Sequence, residues 1–262
     1  MKDFKLNRGA INLASLALAA FLLAPRNSSA ALISLVNGDF ETGTLSGWST
    51  IGDNIATPST TVTTYNGVVW TTSAAGTTMA QLNSNPASIS TIETTLGLTS
   101  GSLNALNTNP SGGSLTDGAA IYQSFAGNIG DTVGMSWDYI ARDYIPFNDP
   151  SYAVIINPDR SASINVLASI QGLGIAVGTA GNSGWQSFSQ TLNQTGNYTI
   201  AFIKTNDKDT ILDSALFLDS TAGTCNPTCP PPISSVPEPT ALALLGIGLV
   251  VLGANRRRMQ AM

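Results

Sequence analysis

Thr132-Val133-Gly134-Met135-Ser136-Trp137-Asp138-Tyr139-Ile140 alternates along its length, with Val133, Met135, Trp137 and Tyr139 on one side and Thr132, Gly134, Ser136 and Asp138 on the other. A period of two places the four large apolar side chains on one face of a strand and the small or polar ones on the other. The segment therefore predicts a half-buried β-strand, whose Trp137 faces a core. Asn128-Ile129-Gly130-Asp131 precedes it as a turn, and further turn signals lie at Asn157-Pro158-Asp159, Gly181-Asn182-Ser183-Gly184 and Thr195-Gly196-Asn197.

Similar runs of β-formers recur on both sides. Strands are expected at Ile33 to Val36, Val68 to Thr72, Thr78 to Leu82, Ala119 to Phe125, Tyr152 to Ile156, Ile164 to Ile170, Trp185 to Leu192, Tyr198 to Lys204 and Ala215 to Leu218. Short strands with such punctuation predict an all-β chain, most simply a jelly-roll-like β-sandwich. The stretch 31–222, about 190 residues, is long enough for one such domain with a proper core. Helix is expected only at Ile89 to Leu98. Residues 99–118, rich in Ser, Asn and Gly, read as a long loop. Trp48, Trp137 and Trp185 are assigned to the core because buried aromatics contribute most to packing.

The two ends carry different signals. Residues 1–30 run from Lys2, Lys5 and Arg8 into the apolar segment Ile11 to Ala24 and on to Ser28-Ser29-Ala30, the layout of a secretory signal peptide cut before Ala31. At the other end, Pro237-Glu238-Pro239 is followed by the apolar stretch Ala241 to Ala254 and then Arg256-Arg257-Arg258. A stretch this short suits a transient rather than a permanent span. Arginines held on the cytoplasmic face leave Pro237, Glu238 and Pro239 outside. Between domain and tail, residues 223–235 form a Pro-rich linker. It holds both cysteines, Cys225 and Cys229, which in an oxidising compartment can pair with each other, stay free or link chains.

Charge narrows the function. Between Ala31 and Ser235 only Arg142, Arg160, Lys204 and Lys208 are basic, against 14 of the chain's 16 acids, a net charge of −10. Such a surface excludes nucleic acid as a partner. The chain has no histidine, so a Ser-His-Asp or Cys-His arrangement is ruled out. Paired carboxylates remain chemically open to glycoside hydrolysis, with Asp138, Asp143 and Asp149 close in sequence.

Residues 236–262, in the order short motif, apolar segment and basic cluster, resemble the PEP-CTERM sorting signal of Gram-negative bacteria. That resemblance implies an exported protein processed by an exosortase, anchored in the inner membrane in transit and then placed at the cell surface or outside it. Asn37-Gly38-Asp39-Phe40-Glu41, with Gly47-Trp48 after it and Leu218-Asp219 late in the chain, resembles the calcium-containing jelly-roll carbohydrate-binding modules and galactose-binding-like sandwiches. Carried over, Asp39, Glu41 and Asp219 are candidate ligands of a structural calcium; the alternative is that these acids cap strand ends. The string Asp143-Tyr144-Ile145-Pro146-Phe147-Asn148-Asp149 resembles one found in bacterial adhesins and other exported sandwiches. Its Asp143 and Asp149 can bind a cation or polar ligand, or satisfy the loop's own main chain. Tyr144, Phe147 and Tyr152, with Tyr65 and Trp70, are the candidates for a sugar-stacking face. The expectation is a non-enzymatic envelope or matrix protein that binds polysaccharide. The alternatives are a purely structural or adhesive surface protein, and third a glycan-cleaving enzyme.

Overall fold

The computed structural model describes residues 30–82 and 87–220. The signal peptide, the linker with Cys225 and Cys229, and the sorting motif Pro237, Glu238 and Pro239 lie outside the described residues. The elements run β1 (Ser49–Ile51), β2 (Asn54–Thr57), β3 (Thr60–Thr63), β4 (Val69–Thr72), β5 (Met79–Leu82), β6 (Ala87–Ser88), α1 (Ile89–Leu96), α2 (Ser102–Ala105), β7 (Leu115–Gly127) and β8 (Thr132–Ile140). They continue with β9 (Ser151–Ile156), β10 (Ala162–Ser169), β11 (Ile175–Ala176), β12 (Gln186–Thr191), β13 (Gly196–Asp207) and β14 (Ala215–Asp219).

Two sheets face each other as a β-sandwich of jelly-roll type. One has the order β1-β7-β13-β9-β10-β11, with β6 added at β7; the other runs β12-β8-β14-β5-β2. The alternation in β8 sets the arrangement. Val133, Met135, Trp137 and Tyr139 point between the sheets and meet Ile121, Ala153, Ile155, Ile200, Phe202, Leu216 and Leu218. Trp48 belongs to this core as well, in ring contact with Phe40 at 5.7 Å and Phe202 at 6.5 Å.

Each sheet also has something packed on its outer side. Helix α1 turns Ile89, Ile92 and Leu96 toward Tyr152, Val154, Ala201 and Ile203 of the first sheet. It starts at Ser88, whose hydroxyl accepts the Thr91 N–H at 3.2 Å, and stops at Gly97 in the left-handed conformation (φ 68°). The buried Glu93 carboxylate accepts the Gly101 and Leu103 N–H groups, which fixes the turn into α2. On the second sheet, the β3–β4 hairpin lays Val62 over Met79, Ile140 and Phe217, with Trp70 and Trp185 half-buried at its edge.

Three expectations are corrected. Residues 33–36 do not form a strand: Leu32 makes a single bridge to Thr132, and the chain then turns, with Gly38 N–H on the Leu35 carbonyl and Phe40 N–H on that of Asn37. Asn37 and Phe40 both take positive φ there, which an extended run does not allow. The stretch 99–118 is not all loop, since it holds α2 and the first residues of β7. Trp185 covers an outer face and is not part of the inter-sheet core.

Candidate functional site

The segment joining β8 to β9 is where the expected ligand residues lie. Asp143 begins it, and its Oδ1 accepts the N–H of Tyr144 at 2.8 Å. Phe147 N–H returns to the Tyr144 carbonyl at 2.9 Å, and the Ile145–Pro146 peptide is cis. This tight turn projects Tyr144 outward with Phe147 beside it, ring centroids 5.3 Å apart and edge-to-face. A second segment supplies the third ring. The β3–β4 turn carries Tyr65, and its N–H binds the Arg142 carbonyl at 2.9 Å while Arg142 Nε donates to Thr63 O at 3.2 Å. Tyr65 and Tyr144 then stand 4.6 Å apart, with 43% and 37% of their surfaces exposed.

The shelf formed by Tyr65, Tyr144 and Phe147 is held from beneath. Asn109 Nδ2 donates to the Pro146 carbonyl at 2.8 Å and to Asp207 Oδ2 at 2.5 Å. Asn107 Nδ2 binds the other oxygen of Asp207, and Asn148 Nδ2 binds Asn107 Oδ1, both at 2.9 Å. Buried polar groups that are all paired hold a single geometry, so the rings are fixed in place before any ligand arrives. Asn107 and Asn109 lie in the stretch read as a featureless loop; their role depends on a contact some 40 residues away that local composition does not carry.

Not every expected site residue reaches the surface. Tyr152 is wholly buried beneath α2, with its hydroxyl on the Leu103 carbonyl at 3.2 Å, because β9 is covered on both faces. Asp149 is buried too: Oδ1 accepts the Asp207 N–H at 3.0 Å and Oδ2 the Ser214 hydroxyl at 2.9 Å. Burial pushes its carboxyl up to about 7, opposed mainly by the charge of Lys204. Asp143 is raised to about 6, again chiefly by burial. Asp138 points to the outer face opposite Phe217 and accepts from the Ser183 hydroxyl at 3.3 Å. With Asp149 enclosed and Asp138 on another face, the three acids do not present a carboxylate pair to a glycosidic bond. Trp70 is half-buried, its Nε1 on the Ala180 carbonyl at 2.8 Å.

Of the expected calcium residues, Glu41 and Asp219 both bond to the segment at residues 75–78. Negative charge on Glu41 and Asp39 is felt at Asp219, whose carboxyl is raised mainly by burial. Protein donors nonetheless occupy their oxygens. Glu41 accepts the Thr77 N–H (2.7 Å), the Thr77 hydroxyl (2.6 Å) and the Thr78 N–H (3.0 Å), and Asp219 Oδ2 accepts the Ala75 N–H at 2.6 Å. Calcium asks for six or more oxygen ligands, and N–H groups aimed at the carboxylates take the lone pairs it would use. As placed, the set does not fit a calcium ion. Among the described residues no group of three or more acidic, histidine or cysteine side chains is arranged to hold a metal.

Comparison with known proteins identifies a PEP-CTERM protein-sorting motif over residues 235–258. That motif implies an exported chain that transits the membrane and is processed by an exosortase. No helix among the described residues is long and apolar enough to cross a membrane. No curated protein matches the chain. Among solved structures, a family 61 carbohydrate-binding module, TmCBM61, in complex with β-1,4-galactotriose is 10% identical, with 70% of this chain and 91% of that one covered and a TM-score of 0.34. The CBM22-1 xylan-binding domain of Xyn10C from Paenibacillus barcinonensis is 11% identical, with 74% and 94% covered and a TM-score of 0.33. The enzymatically active domain of tailspike protein 4 from bacteriophage CBA120 is 13% identical, with 71% and 20% covered and a TM-score of 0.34.

Proposed function

We propose that the protein is a non-enzymatic component of the cell envelope or extracellular matrix, which binds polysaccharide on the shelf of Tyr65, Tyr144 and Phe147. The observation that carries this reading is the exposed pair Tyr65 and Tyr144, brought to 4.6 Å from segments some 80 residues apart. Solvent-facing aromatics cost free energy unless something covers them. Flat rings with a polar tip suit the C–H face of a pyranose, and phenol hydroxyls can bond to sugar hydroxyls.

The domain's net charge of −10 favours neutral chains over polyuronates, which it would repel. Export supports the same reading, because the exosortase route delivers the domain to the compartment where such polymers lie. On that route the Ala241 to Ala254 segment anchors the chain in the inner membrane until the sorting motif is cut. Presenting the exported protein to an array of immobilised neutral and acidic glycans tests the proposal. Capture by neutral polymers supports it, and capture by none favours the structural or adhesive alternative.

A further inference from the structure

The inter-sheet face of β13 is apolar at Ile200 and Phe202 and then becomes polar, with Lys204 and Asn206 at the next two same-face positions, both buried. Same-face neighbours on a strand are about 6.5 Å apart, within reach of a lysine side chain. The ladder to β7 shifts register between Thr205 and Asp207, where two β7 residues, Thr116 and Asp117, stand opposite Asn206, a bulge in β7 beside the Asn206 amide. Lys204 Nζ lies 2.5 Å from Asn206 Oδ1. On its other side, Asn206 Nδ2 lies 2.7 Å from Asp117 Oδ1 and 2.5 Å from Asp213 Oδ1. That same Asp213 oxygen is 3.7 Å from Lys204 Nζ.

A buried amine against an amide carbonyl, with a carboxylate spanning the two nitrogens, is arranged for acyl transfer. The geometry points to an intramolecular isopeptide bond between Lys204 Nζ and Asn206 Cγ, closed by the domain itself with loss of ammonia. The neutral amine attacks Cγ. The new C–N bond forms as the Cγ–Nδ2 bond breaks, and the proton leaving Nζ passes through Asp213 Oδ1 to the departing nitrogen. An amine and an amide give an amide and ammonia, with no oxidant or reductant.

Asp213 touches the reacting nitrogens and is the catalytic residue, while Asp117 positions the amide. Burial lowers the pKa of Lys204, and the surrounding acids Asp149, Asp213 and Asp117 oppose this; desolvation thus enriches the neutral, nucleophilic amine. The Asp213 side chain is 30% exposed, which leaves ammonia a way out. The product replaces a buried ionisable amine by a neutral amide, which removes the burden of enclosing a charge.

Mass spectrometry of the full chain tests this. The wild-type protein should weigh one ammonia less than its sequence. After denaturation trypsin should spare Lys204, leaving residues 161–208 as one peptide whose ammonia loss maps to Lys204–Asn206. Asp213→Asn and Lys204→Met should each show no such loss. Full wild-type mass with cleavage after Lys204 overturns the inference, and this measurement does not depend on any variant folding. Loss of ammonia with cleavage after Lys204 intact, reversed in mild base, means a succinimide at Asn206 and overturns it too. So does loss of water, which would place the link at Asp213.

Discussion

Glu41 reaches 36 residues along the chain to Thr77, accepting its N–H at 2.7 Å and its hydroxyl at 2.6 Å. Gly76 makes room for this: a Cβ there would stand 2.3 Å from Glu41 Oε1. The contact fastens the opening turn of the domain to the loop before β5, beside the last strand. Its charge-assisted bonds hold the Glu41 carboxyl below its usual range, the Thr77 hydroxyl being the largest cause.

Glu41→Gln should therefore lower the melting temperature by the same amount with calcium and with chelator, since the lost partners are protein donors. Chelation alone should leave wild-type melting unchanged. A wild-type melting temperature that falls on chelation, and stops doing so in Glu41→Gln, would instead place a cation at this junction.

Trp137 is 4% exposed between the sheets, and its indole N–H has no hydrogen-bond partner among the described residues. Truncation to Ala should cost about 3–5 kcal/mol in denaturant unfolding, the usual loss for a large buried aromatic. Trp137→Phe should cost well under half as much, because it keeps most of the packing and removes an unpaired donor. Similar losses for both substitutions would contradict this reading.

Trp137 also marks how far the sequence is legible. Strand β8 was expected from Thr132 to Ile140 and forms there, because one face is buried and the alternation is undiluted. Strands β1 to β3 leave no such pattern: they are three or four residues long, rich in Thr and Ser, and bury only Ile51 and Val62, so their pairing comes from neighbours. At the shelf, the string from Asp143 to Asp149 holds Tyr144 and Phe147, two of the three rings that lie together. Tyr152 is buried where a surface ring is expected, because α2, which covers it, lies in a stretch whose Ser and Asn content resembles loop. The sequence around Lys204 does not show its burial, since the acids near it come from β7, from the segment before β9 and from the approach to β14.

Two acids, Asp131 buried and Asp159 exposed, predict an acid-sensitive fold. Asp131 accepts the Asn128 and Ala31 N–H groups at 2.8 and 2.9 Å, and these bonds lower its pKa. Asp159 falls to about 2, chiefly through the Ser161 hydroxyl. A carboxyl whose folded pKa lies below its unfolded value of about 4 stabilises the fold above that value and ceases to do so as pH falls through the folded pKa. Melting temperature should drop between about pH 4 and 2, and Asp131→Asn with Asp159→Asn should flatten that limb. An unchanged slope in the double variant would assign the acid loss to other groups.

The central claim rests on Tyr65 and Tyr144 acting as a sugar platform, and affinity electrophoresis of the whole protein through gels containing neutral polysaccharides tests it most directly. Wild type should be retarded by at least one polymer. The Tyr65→Ala/Tyr144→Ala variant, with its melting temperature checked to be near that of wild type, should bind at least about tenfold more weakly, as expected when aromatic anchors are removed. Equal retardation of the two proteins, or no retardation of wild type by any polymer, would contradict it.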